Sequence, residues 1–102
     1  MILEIANFRI EPGGNAGFEA AFATAQALLA ATPGYIDHAL QRCIEDAGEY
    51  RLLVHWNTVD DHMQGFRQSQ RFPQWRALLQ PFCAATPSAL HFERVIANHA
   101  TS

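Results

Sequence analysis

Charge is scarce in this sequence: Asp, Glu, Lys and Arg make up 17% of it, against an apolar share of 49%. With a net charge of −3 and its seven basic residues scattered, it has no stripe on which nucleic acid or an anionic membrane would be expected to sit. So little charge on a 102-residue domain also points to a surface covered by a partner, and hence to an oligomer. Cysteine is equally sparse. Cys43 and Cys83 stand outside any CxxC or Cys-His spacing and read as reduced residues of a cytoplasmic protein. His38, His55, His91 and His99 form no HxH or HExxH pattern, so no protein-bound metal is expected. The absence of GxGxxG, P-loop, GxSxG and paired-carboxylate signals excludes nucleotide enzymes, α/β-hydrolases and most hydrolytic schemes. The longest apolar run, Ala20 to Ala31, is interrupted by Thr24 and Gln26 and is too small-sided to span a bilayer. Met1-Ile2-Leu3-Glu4 carries no basic region ahead of an apolar one, so no signal peptide is expected.

What is present centres on Tyr50 to Trp75. Tyr50, Leu52, Val54 and Trp56 alternate with Arg51, Leu53 and His55, the period of a strand. Thr58 can cap a helix with Asp60 and Asp61 in its first turn, and His62 and Phe66 follow one turn apart. Trp56, His62 and Phe66 are thereby expected to converge on one space.

The flanking chain supplies the other elements. Leu3, Ile5 and Asn7 share one face of a first strand, with Ile2, Ala6, Phe8 and Ile10 on the other; two apolar faces make this strand central. Pro12-Gly13-Gly14 ends it, and Asn15 is a candidate N-cap for a helix to about Ala31 with Phe18, Phe22, Ala25 and Leu29 as its stripe. Tyr35 to Ile44 reads as an edge strand, with Ile36, His38, Leu40, Arg42 and Ile44 on one side, turning at Glu45-Asp46-Ala47-Gly48 into the Tyr50 strand. Phe72-Pro73 opens a further helical segment carrying Trp75, Leu78, Leu79 and Phe82. Ser88 to Ile96 alternates as a last strand, and 98–102 reads as a tail after a single domain, 1–97.

This order is the split β-α-β arrangement of ferredoxin-like α+β domains, with the first and third strands central in a four-stranded antiparallel sheet. Both helices then cover one face. On this reading Ile2, Phe8, Ile10, Leu53 and Val95 form an apolar patch on the other, to be covered in a homodimer. Asn7 and Trp56 are expected to point toward the helices, with His62 and Phe66 above them, around a mostly apolar small-molecule pocket rimmed by Arg42, Arg76 and Arg94. Each has a plainer explanation: Trp56 as core, His62 as a solvated side chain, Asn7 as an amide satisfied by backbone.

From Val54-His55-Trp56 through Phe66, Ser69, Phe72 and Trp75 to Leu79, the chain resembles the antibiotic biosynthesis monooxygenase superfamily of dimeric α+β barrels. Against the quinone-forming branch, Trp56 matches the strand-ending tryptophan, Leu52 replaces an asparagine and His62 stands in place of a tyrosine. Against the haem-degrading branch, Asn7 matches but Phe66 replaces a tryptophan, and Arg76 stands near the position of the iron-ligating histidine, which ranks haem degradation low. The resemblance implies oxygenation of a phenol-, anthrone- or quinol-like substrate without a cofactor, its anion reacting directly with oxygen. His62 would be the base, Asn7 a hydrogen-bond donor, and Trp56, Leu52, Phe66 and Arg76 the substrate-binding wall and rim. The alternatives are a non-catalytic hydrophobic-ligand or stress-response module and an isomerase-type enzyme.

Overall fold

Strand alternation and helix periodicity resolve into eight pieces in a computed structural model that describes residues 1–100. They are β1 (Ile2–Arg9), α1 (Asn15–Ala30), β2 (Tyr35–Arg42), β3 (Glu49–Trp56), a π-helical turn (Asp61–Phe66), α2 (Arg71–Leu79), a 3-10 turn (Gln80–Phe82) and β4 (Ser88–Phe92). The strands form one antiparallel sheet in the order β2-β3-β1-β4, so β1 and β3 are central, as the two apolar faces of β1 lead one to expect for that strand. The domain is thus α+β with the split β-α-β arrangement.

The core lies between the sheet and α1. Phe18, Phe22, Ala25 and Leu29 recur at helical spacing and pack on Ala6, Phe8, Ile10, Tyr50, Leu52 and Val54. Burying each of the larger side chains contributes about 1.5–3 kcal/mol. Gly17 permits the 3-10 turn to close on α1, because a Cβ there would stand 2.5 Å from the Phe82 ring.

Several expectations change. Asn15 is the first residue of α1; its amide donates to Ala47 O and Tyr50 Oη, tying the helix start to the β2–β3 hairpin. A register shift between Tyr35 and Asp37 breaks the β2 alternation, so Ile36 leaves the side it was expected to share with His38 and Leu40. β4 ends at Phe92, leaving Val95 and Ile96 exposed beyond it. The tail expected at 98–102 includes 101–102, which lie outside the described residues.

The largest correction concerns the sides of β1. Ile2 pairs with Trp56, which puts Ile2, Glu4, Ala6, Phe8 and Ile10 under the helices and Leu3, Ile5 and Asn7 on the opposite face. Phe8 and Ile10, expected on the open face, are core residues. Asn7, expected in the pocket, is exposed beside Arg51 and Ser88. Phe8 and Ile10 fill more of the space under α1 than an amide can, and a period of two reverses every side chain together. The open face carries Leu3, Ile5 and Leu53, half-buried, with Leu90 at 65% and Phe92 at 46% exposure.

Candidate active site

Thr58 and Asp61 start the segment that shapes the site. The Thr58 backbone N–H and hydroxyl both donate to Asp61 Oδ2 at 3.0 Å, and the Asp61 N–H donates to Thr58 Oγ1 at 3.2 Å, a reciprocal cap. Asp61 packs against Gly34, whose φ of +91° and lack of a Cβ both favour glycine there. The chain then makes a widened turn, Arg67 N–H donating to His62 O five residues back at 2.9 Å. His62 and Phe66 are both buried, their rings near-parallel with centroids 6.4 Å apart, and Trp56 stacks on His62 at 5.5 Å. The expected convergence of Trp56, His62 and Phe66 is present.

At its centre is Glu4, which the sequence reading passed over. Glu4 is 4% exposed. Trp56 Nε1–H donates to its Oε1 at 2.9 Å, and its Oε2 lies 3.4 Å from His62 Nε2. The other His62 nitrogen, Nδ1, is 2.8 Å from Nε2 of His91, a half-buried residue of β4 paired across the sheet with Glu4. Burial pushes the Glu4 carboxyl up to about 7, against the opposing pull of the Trp56 hydrogen bond and the Arg67 charge. Burial also drives His62 down to about 4, helped by His91 and Arg67. The close Glu4–His62 contact is therefore held mainly as a neutral pair near pH 6, with the proton on the carboxyl. The available signal for Glu4 was a carboxylate in line with Ile2, Ala6, Phe8 and Ile10; nothing local marked His91.

Glu4 and His62 open on a cavity of about 610 Å³ between the sheet and α2. Ala6, Phe8 and Leu52 form its floor, Phe66, Phe72 and Trp75 its aromatic wall, and residues 84–89 the side toward β4. Leu52, Phe66 and Arg76 line it as expected; Trp56 stands behind His62 and Glu4. Of the other expected rim residues, Arg42 is engaged with Glu19, and Arg94 lines a separate hollow with Met1, Leu3 and Phe92. The size and mixed lining suit a small, largely apolar ligand with one polar end. Among the described residues no group of three or more His, Cys, Asp or Glu side chains is arranged to hold a metal ion, and no helix is long and apolar enough to cross a membrane.

The domain is thus a two-layer α+β fold with an aromatic-walled cavity and a buried carboxyl–imidazole pair at its inner end. The chain belongs to the antibiotic biosynthesis monooxygenase family, whose model matches residues 1–78. It is 42% identical to a candidate antibiotic biosynthesis monooxygenase from Bordetella bronchiseptica, covering 93% of this chain and 97% of that one at a TM-score of 0.90. It is 40% identical over 95 residues to the uncharacterized protein YczJ of Bacillus subtilis, 93% of this chain and 100% of that one. The fold is also that of SnoaB, a cofactor-independent oxygenase from Streptomyces nogalater, at a TM-score of 0.82 and 22% identity over 94% of each chain.

Proposed function

We propose that this protein is a cofactor-independent monooxygenase acting on a small phenol-, anthrone- or quinol-like substrate. The observation that carries the reading is the Glu4 carboxyl, held between Trp56 and His62 on the inner wall of the cavity. A base whose pKa lies close to neutral pH is matched to removing a proton from a phenol or an activated methylene. We place Glu4 in that role, with His62 as its proton-sharing partner in place of His62 acting alone. The substrate anion gives its electrons to oxygen and forms a carbon–oxygen bond; protonation and loss of water leave a carbonyl. In sum, one CH₂ and one O₂ become one C=O and one H₂O. The chain Glu4–His62–His91 offers a path for the proton, because a proton arriving at one imidazole nitrogen releases one from the other. Leu52, Phe66 and Trp75 hold the ring and keep water out.

The same reading includes a homodimer. Leu3, Ile5, Leu53, Leu90 and Phe92 make one apolar face, and a second copy would cover it. Sedimentation that finds only monomer at micromolar concentration would reject this part.

An oxygen-electrode and absorbance screen against anthrones, naphthols and hydroquinones tests the activity, with Glu4→Gln and His62→Ala as controls. Oxygen uptake without added cofactor, lost in both variants, is the expected result. No uptake, with thermal stabilisation by the same aromatics, would replace the enzyme by a ligand-binding module.

A further inference from the structure

Resting on the cavity as a substrate site, the charges around it define what enters. Although the whole chain is at −3, the cavity does not share that sign. The ionisable side chains lining it are Glu4, His62, Arg67, Arg76 and Cys83, whose thiol is pushed up by burial and so stays neutral. Burial brings His62 down to about 4 and Glu4 up to about 7, so near pH 6 both are mainly neutral and the charges there are the two guanidinium groups.

Those two groups are held, and they are free of carboxylates. Arg67 Cζ stands 5.4 Å and Arg76 Cζ 5.9 Å from the centroid of the Phe72 ring, so one ring carries both cations. Of the five other arginines, three are paired, Arg9 with Asp46, Arg42 with Glu19 and Arg51 with Glu49, and the remaining two, Arg71 and Arg94, do not line the cavity. No ion pair among the described residues involves Arg67 or Arg76. A planar guanidinium pre-set on an aromatic face loses little freedom on binding a carboxylate and can do so through two hydrogen bonds. The polarity of the space is also ordered. Glu4 is at the buried end, whereas Arg67 and Arg76 are exposed at the mouth. A ligand matching both ends carries its hydroxyl and its acid on opposite sides of the ring.

We propose that the cavity binds an aromatic acid, a hydroxyaryl carboxylate whose hydroxyl faces Glu4 and whose carboxylate is taken by Arg67 and Arg76 beside Phe72. Neutral phenols enter the same space without the second anchor and bind more weakly.

Calorimetric titration at pH 6.0 with 6-hydroxy-2-naphthoate and with 2-naphthol tests this, since the two share a ring and hydroxyl and differ by one carboxylate. The expected result is at least tenfold tighter binding of the naphthoate at low salt, with the gap narrowing as salt rises. In the Arg67→Gln/Arg76→Gln double variant the naphthoate falls to the affinity that 2-naphthol has for the same variant. Arg94→Gln, outside the cavity, leaves both affinities as they were. Equal or weaker binding of the naphthoate overturns the proposal, and so does a preference that survives in the double variant. Oxygen uptake is read separately: a charge preference without uptake removes the monooxygenase and leaves this inference standing, whereas uptake with 2-naphthol preferred removes this inference alone.

Discussion

The two ends of β3 carry the same local arrangement in different surroundings. At one end Tyr50 donates its hydroxyl to Glu19, and Arg42 meets the same carboxylate oxygen at 3.2 Å. At the other end Trp56 donates its indole N–H to Glu4, with His62 as the second neighbour. Glu19 is exposed and has a permanent cation, Arg42, beside it. Glu4 is buried, and the two groups in contact with it, the Trp56 indole and the His62 imidazole, are both neutral, so burial raises its carboxyl to about 7. Both carboxylates join an aromatic residue of the sheet to the helical layer, but only the second lines the cavity.

The sharpest way to break this comparison is to make both carboxylates amides. Glu4→Gln should lose roughly 10²-fold or more in turnover while Glu19→Gln stays within about twofold. Comparable losses in steady-state oxygen uptake would mean that the Trp56 end is scaffold, like the Tyr50 end.

Stability against pH offers a test that needs no substrate. In the unfolded chain Glu4 deprotonates near 4.5 and His62 near 6.5; in the folded chain these become about 7 and about 4. A raised carboxyl pKa gives stability below 4.5 that is lost as pH climbs to 7. A depressed imidazole pKa gives stability above 6.5 that is lost as pH falls to 4. Between about 4.5 and 6.5 the slopes oppose one another, because folding moves a proton from His62 to Glu4 with no net uptake. Urea unfolding of His62→Gln should expose the Glu4 slope alone, a fall on the order of 3 kcal/mol from pH 4.5 to 7.5. Glu4→Gln should show the reverse, with stability falling toward acid; a flat profile in either variant contradicts the neutral pair.

Trp56→Phe removes the indole donor from Glu4 and leaves a buried carboxyl short of a partner, costing about 1–3 kcal/mol. Because that hydrogen bond holds the carboxyl down, its loss should also move the Glu4 titration upward, measurable by carboxyl ¹³C NMR. An unmoved titration would uncouple Trp56 from the site. The smallest effect belongs to Arg42→Ala at the Tyr50 end, where an exposed ion pair contributes about 0–1 kcal/mol and the denaturation midpoint should scarcely change.

The sequence by itself determined the parts that depend on short spacing. The alternation from Tyr50 to Trp56, the Thr58–Asp61 cap and the one-turn interval from His62 to Phe66 gave β3, the turn after it and the convergence of three rings, since each rests on neighbours within a few residues. The order of elements also led to the sheet order, because short right-handed connections leave few alternatives. Which face of β1 lies inward was not decided there: both faces are apolar, and only the pairing of Ile2 with Trp56 sent Glu4 into the site and Asn7 out of it. His91, 29 residues from its partner His62, became visible only when β4 paired with β1 and set it beside Glu4. The charge state of the site is tertiary for the same reason, because a carboxyl is held near neutrality by the water that folding removes from around it, and no local pattern records how much is removed.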